Sequence, residues 1–341
     1  MTIRSWYQSA RLVALALCMG LPTTVSALAQ KPEPITVRWG GTPSIELETP
    51  FYIAKTKGFF EDEGVRIGDP LMGPGSRIRE ALAAGEIDFA DLGTLTYLVG
   101  RGKGLPQTVV FEYFTKEIFS LFVPTRLKNE IKSVADLKGR KVLVNALGAA
   151  SHVAGLAMIR KAGLKDSDVT FLGVGAGGDP ATWISQVESG NFDAGVTWEP
   201  TSSYLISRQA AFPLVDIRDS ATHEKWIGKN ASSMILVVSN DTIVKRPEIV
   251  QRVVRALRKA TQFIQKHSAS EVAAVTANGF KMDPAMLAKV LEPIKDNFSP
   301  DGSISRSGIA LEVDLALGGG ILSRKLTYDE MVDTKFAGSK D

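Results

Sequence analysis

The sequence predicts an α/β protein of two lobes built to one plan, and three observations carry that expectation. The phrase AAGEIDFADLGT (Ala83 to Thr94) returns in altered form as ESGNFDAGVTWEP (Glu188 to Pro200). Each has a small residue, Gly, any residue, a large apolar residue, Asp and a short strand-like run. Asp88 and Asp193 lie 105 positions apart, as do Gly58 and Gly163, each closing a helix in its half. The segment after 234–239 shows no third copy and reads as mostly helical.

The elements follow in order. Residues 35–39 alternate apolar and polar as a strand and stop at Gly40-Gly41-Thr42-Pro43-Ser44, a loop of the kind that turns ligand-facing backbone outward in α/β proteins. A helix over 49–57 ends at Gly58, a strand covers 65–67, and Ser76 is placed to cap a helix over 77–84 that Gly85 ends. A strand at 87–92 meets Gly93-Thr94, a short helix spans 95–99, and strands follow at 107–113 and 119–123. The second pass gives a short helix from Ser133, a strand at 141–145, a small-residue loop at 146–151 and a helix at 153–162. A strand at 169–174 and a helix opened by Asp179-Pro180 come next, then a strand at 194–198. Beyond 234–239, Pro247 opens a long amphipathic helix with Ile249, Val250, Val253, Val254, Leu257 and Ile264 on one side. If this tail completes the first lobe, the chain crosses between lobes twice, near Pro124 and Met234, giving a first lobe of 30–123 plus 235–341 and a second of 124–234.

Residues 1–29 read as a secretory signal: Arg4 and Arg11 precede the apolar run LVALALCMGL, and Ala27-Leu28-Ala29 offers a cleavage site. The run is too short for the ~20 residues that span a bilayer. A periplasmic location is therefore expected, with a mature chain from Gln30. Cys18, the only cysteine, leaves with the leader; Leu17 before it does not fit a lipid-attachment site. With 44% hydrophobic residues the rest can bury a large core without disulfides. Losing Arg4 and Arg11 brings the formal charge from +3 to +1, which gives no electrostatic footprint for nucleic acid.

Catalytic and cofactor chemistry finds little support. His152, His223 and His267 have no partners at metal-ligand spacing, so no metal is expected. The run GAGG at 175–178 lacks the Lys-Ser/Thr of a phosphate loop, and no GxSxG elbow occurs, so no cofactor is expected. Asp88 and Asp193 are read as backbone-binding groups. What remains is a set of small-residue loops at helix N-termini, at Ser44, Gly75-Ser76, Gly93-Thr94, Ser151 and Asp179. Free N–H groups and the positive end of the helix dipole suit such points to an anion. Arg77 could neutralise a carboxylate or sulfonate, and Trp198 and Tyr113 could offer a flat apolar wall.

Five ordered stretches add a resemblance: PFYIAKTKGFFEDEGVRI, ALAAGEIDFADLG, GLPQTVV, IKSVADLKGRKVLV and VESGNFDAGVTWEP. Together they resemble the substrate-binding proteins of nitrate/sulfonate/taurine-type ABC importers, a group that includes thiamine-precursor binders. The resemblance spans about residues 35–240 and implies a type II periplasmic binding fold, with two crossover strands and a ligand cleft between the lobes. It places the ligand loops at Thr42, Pro43 and Ser44; Gly75, Ser76 and Arg77; Gly93, Thr94 and Leu95; Ala149, Ala150, Ser151 and His152; Asp179; and Trp198 with Glu199. The chain departs from the family at 147–152, where LGAASH stands for a Gly-Ser-Thr-like phrase. The implied protein is a monomer that makes and breaks no bond, captures a small organic anion and delivers it to a membrane permease and its ATPase. Three alternatives stay open: a heteroaromatic such as a thiamine precursor, with Asp179 and Glu199 facing ring nitrogens or an amine; an enzyme of the pyrimidine-synthase branch, which depends on cysteine-rich and histidine features where the mature chain has no cysteine; and a sensor subunit.

Overall fold

A computed structural model describes residues 33–174 and 180–341. In chain order the first half runs β1 (Ile35–Val37), β2 (Trp39–Gly41), α1 (Ile45–Thr56), α2 (Phe59–Asp62), β3 (Val65–Ile67), β4 (Leu71–Met72), α3 (Gly75–Ala83), β5 (Phe89–Gly93), α4 (Thr94–Gly102) and β6 (Gln107–Phe114). The second half holds β7 (Ser120–Pro124), β8 (Lys141–Val144), α5 (Ala150–Lys161), β9 (Thr170–Gly173), α6 (Pro180–Ser189), β10 (Ala194–Thr197), α7 (Thr201–Ser207), β11 (Ala211–Val215) and α8 (Ser220–Trp226). Then come β12 (Met234–Ser239), α9 (Asn240–Lys245), α10 (Pro247–Lys266), α11 (Ala269–Phe280), α12 (Pro284–Leu291), β13 (Ile304–Ser305) and α13 (Arg306–Gly318).

Two five-stranded sheets carry the lobes, with strand orders β4-β2-β5-β12-β6 and β9-β8-β10-β7-β11. In each, the first three strands are parallel and the fourth runs antiparallel to both neighbours. The duplicated plan is therefore real at the level of topology, and the fourth strand of each sheet is reached from the other half of the chain. β7, which the sequence reading assigned to the first lobe, is hydrogen-bonded between β10 and β11, so the first passage lies at 115–119, ahead of Pro124. The second lies between β11 and β12 and includes α8.

The repeated phrase makes the same joint twice. Gly85 and Gly190 take φ of 72° and 70°, the left-handed values that close a helix and favour glycine. The Asp88 carboxylate then accepts the N–H of Arg38 at 2.9 Å, at the entrance to β2, and Asp193 accepts that of Lys141 at 2.9 Å, at the entrance to β8. Arg38 and Arg140 reinforce the two carboxylates. Each aspartate thus locks a strand to its parallel neighbour, as the reading of these groups as backbone-binding required.

Core packing fixes what lies behind the loops. Trp39 is buried against Phe51, Phe60 and Phe89, with ring centroids 5.1–5.8 Å apart, and donates its indole N–H to Asp91 at 2.8 Å. Tyr113, considered as a cleft wall, is fully buried here and donates to the same carboxyl at 2.6 Å. The amphipathic α10 packs Val250, Val253, Val254 and Leu257 inward against α1 and α2. Between the halves, α5 packs on α13 and α4.

Candidate functional site

Loops from both sheets enclose a cavity of about 380 Å³. Thr42 and Ser44 follow β2, Gly75 and Ser76 open α3, Gly93 precedes α4, and Ala149, Ala150 and Ser151 open α5; with Trp198 these nine of the expected residues line it. Four helix N-termini therefore converge on one space. Their first N–H groups lack intrahelical partners and, with the helix dipoles, bias the cavity toward negative charge.

Several hydroxyls in the lining are committed to the frame. Ser44 Oγ accepts Leu47 N–H at 3.2 Å to cap α1 and donates to Glu46 at 2.8 Å. Ser151 Oγ accepts Asn145 N–H at 3.1 Å and so holds the loop that follows β8. Thr42 Oγ1, by contrast, is buried with no partner in the protein.

The other expected residues lie elsewhere, each for a visible reason. Pro43 and Arg77 are exposed. α3 begins at Gly75 with Pro74 as its cap, so Ser76 sits inside the helix, and Arg77 is not among the residues that line the cavity. Thr94 is tied to the returning strand through Ser232 O and Ser233 O, and Leu95 belongs to the core. His152 accepts Gly148 N–H at 3.0 Å and stands edge-on to Phe171; burial lowers its pKa. Glu199 is buried and spends its carboxylate on Arg218 at 2.6 Å and Ser203 at 3.0 Å. Asp179 lies outside the described residues.

The sequence reading missed the two cations. Arg79, buried on α3, and Lys103, at the end of α4, both line the cavity, and among the described residues no carboxylate does. Arg79 donates to Thr96 O and to Glu80, each at 3.2 Å, while its Nε–H is buried without a partner. Helical spacing could have found both: Arg79 is three residues after Ser76, and Thr96, Val99 and Lys103 recur at i, i+3 and i+7. Ile118, Phe119, Leu47 and Met234 supply an apolar wall beside Trp198, whose ring meets Phe119 edge-to-face at 5.5 Å.

Gly100 makes room for Arg79, since a β-carbon there would stand 2.8 Å from Arg79 Cδ. Gly100→Ala is expected to shift the guanidinium and weaken ligand binding about fivefold to tenfold, with a loss of stability of ~1–2 kcal/mol. Calorimetry beside urea unfolding would check both; unchanged affinity would mean that Arg79 takes no part.

Acidic groups cluster behind the lining. Burial raises Glu46 to about 8, helped by the charges of Glu199 and Glu117, and raises Asp91 to about 8 against the donors Tyr113 and Trp39. His223 is held neutral by burial, which lowers it to about 4; its Nε2 accepts Glu117 N–H at 2.8 Å and Nδ1 faces Gly228 O. Among the described residues no group of three or more His, Cys, Asp or Glu could hold a metal ion, and no helix is long and apolar enough to cross a membrane.

The NMT1/THI5-like family matches residues 48–271. A Bacillus subtilis protein named for binding aliphatic sulfonates is 26% identical over 84% of this chain and 83% of its own length. A pyrimidine phosphate synthase of Saccharomyces cerevisiae is 24% identical over 67% of this chain and 65% of its own. Among solved structures, a protein of Bordetella bronchiseptica superposes with a TM-score of 0.75 at 26% identity, covering 89% of this chain and 95% of that one. The alkanesulfonate-binding protein SsuA of Xanthomonas axonopodis, bound to MOPS, gives 0.70 at 21% identity, covering 88% and 99%. The chain has the periplasmic binding protein fold.

Proposed function

Because the chain belongs to the NMT1/THI5-like family, whose fold and relatives mark it as a solute-binding protein of the sulfonate/nitrate importer type, we propose that it captures a small organic anion in the periplasm. It then presents that anion to a membrane permease and ATPase. One observation carries the choice of charge. The cavity holds two cations and, among the described residues, no carboxylate, and the buried Nε–H of Arg79 and the hydroxyl of Thr42 have no partner in the protein. Unmet buried donors cost free energy until an acceptor arrives, and an oxyanion is an acceptor of that kind.

Capture follows from the topology. Thr42, Ser76 and Arg79 come from the loops and helices of the first sheet, and Asn145, Ser151 and Trp198 from those of the second. A ligand touching both sets binds the closed arrangement better than the open one and shifts the population toward it. The permease would read that closed shape. No lining side chain among the described residues is a histidine, cysteine or carboxylate, which leaves Lys103 as the one lining group suited to moving a proton. This supports a carrier over an enzyme. A cationic or amino-heteroaromatic ligand fits less well, because Glu199, the described carboxylate assigned to it, is taken by Arg218.

Native mass spectrometry of the exported protein should reveal a co-purifying anion. Arg79→Gln should weaken its binding by about thirtyfold or more, from the loss of a charge-assisted contact. A bound cation, or an Arg79→Gln variant of unchanged affinity, would count against the reading.

A further inference from the structure

We infer that the ligand is an amphiphilic anion, with its charged group between Thr42 and Arg79 and an aromatic or comparably flat apolar body against Phe119, Trp198 and Met234. The inference rests on the anion-capture reading and adds the chemical class of the part that is not charged.

Helix α4 measures the separation of the two ends. At its start, a β-carbon added to Gly93 would lie 3.9 Å from Met234 Cε, so the apolar wall stands over this end. At Gly100 the same construction comes 2.8 Å from Arg79 Cδ. These glycines are seven residues apart, about 10 Å along a helix axis, and the Arg79 guanidinium, which donates to Thr96 O, lies between them. Thr42 belongs to the charged side: a β-carbon on Gly75 would meet Thr42 Oγ1 at 3.2 Å and Thr96 Cγ2 at 3.0 Å. The charged and apolar ends are thus distinct places in one cavity.

The apolar end is built for a ring. Phe119 and Trp198 both line the cavity and meet at an interplanar angle of 82°, held by packing that leaves them 5% and 6% exposed. Phe119 lies on the segment that passes between the sheets and Trp198 directly follows β10. A body seated there would touch the passage segment and the second lobe together, which couples its burial to closure.

Size points the same way. The cavity's 380 Å³ is more than an inorganic oxyanion fills. An inorganic oxyanion would leave the ring wall facing water and forfeit its apolar burial. An ammonium-bearing sulfonate finds no lining carboxylate among the described residues. Carboxylate and sulfonate share the chemistry at the charged end, so the body is what distinguishes the ligand.

Calorimetry on the exported protein with benzenesulfonate, benzoate, methanesulfonate, nitrate, taurine and benzenesulfonamide tests this. The better of the two aromatic anions should bind about thirtyfold or more tightly than methanesulfonate, nitrate and taurine. Benzenesulfonamide, with the ring but no charge, should bind at least about tenfold more weakly than benzenesulfonate. Phe119→Leu should weaken the aromatic anion several-fold more than it weakens methanesulfonate, a difference that general misfolding would not produce. Methanesulfonate, nitrate or taurine binding as tightly as the aromatic anions would overturn the amphiphile and leave anion capture standing. Sulfonamide binding equal to that of the sulfonate would overturn both, as would no binding across the panel.

Discussion

Arg218→Met is expected to lower the unfolding free energy by about 3–5 kcal/mol, because it strands a buried carboxylate. Arg218 binds Glu199 at 2.6 Å through one guanidinium nitrogen and Asp216 at 2.6 and 2.7 Å through the others. The Glu199 side chain is only 2% exposed, and that of Arg218 13%. Burial already raises the pKa of Glu199 while Arg218 holds it down. Without the arginine, Glu199 is driven further toward its neutral form. Its folded pKa then stands well above the unfolded value, so the penalty is absent below about pH 4, where both states are protonated. It grows as pH rises. Urea unfolding at pH 5 and 8 should therefore show the larger defect at pH 8, and Glu199→Gln added to Arg218→Met should recover much of it. A loss below about 1 kcal/mol at pH 8 would mean that Glu199 reaches water and that the pair is no more than a surface bridge.

The second large effect is a fall in stability from acid toward alkaline pH, carried by carboxyls that no cation serves. Glu46 and Asp91 are fully buried and raised to about 8, chiefly by burial; Glu48 and Glu117 are raised to about 7 for the same reason. All four have folded pKa values above their unfolded ones, so the stability they contribute is complete below about pH 4. It declines as pH rises from there through 7 to 8, and it is flat beyond. Urea unfolding at pH 5, 7 and 8.5 should show a loss of several kcal/mol across the range, on the order of 1.4 kcal/mol for each tenfold difference in proton affinity. Glu46→Gln keeps an acceptor for Ser44 and cannot ionise, so it should remove about 1–3 kcal/mol of that loss. A wild-type stability that stayed level from pH 5 to 8.5 would show that these groups ionise freely in the fold.

How much was legible in the sequence depends on how far each feature reaches along the chain. The left-handed closures at Gly85 and Gly190 and the strand entries behind them are local, and the 105-residue spacing exposes them without any knowledge of packing. Thr42, Ser44, Gly75, Ser76, Gly93 and Ser151 were legible for the same reason: a strand-to-helix turn needs small or capping residues, and such turns cluster at one edge of an α/β sheet. Arg79 was missed through an error of two residues in helix phase. Placing the start at 77 instead of Gly75 put Arg77 at the opening, and successive residues on a helix turn by about 100°. Two positions therefore separate the exposed arginine from the buried one. Glu199 was misplaced in the cleft because its partner, Arg218, follows 19 residues later, beyond α7 and β11.

By itself, then, the sequence determined the α/β class, the duplicated plan and the strand-to-helix turns that border the cavity, since helix caps, left-handed glycines and strand alternation are settled by neighbouring residues. Only the tertiary structure decided that β7 joins the second sheet, that Arg79 and Lys103 charge the cavity, and that Glu199 is spent within the frame. Those outcomes turn on helix phase, strand partners and ion pairs between segments far apart in the chain, where the free energy of a contact depends on burial that no local pattern records.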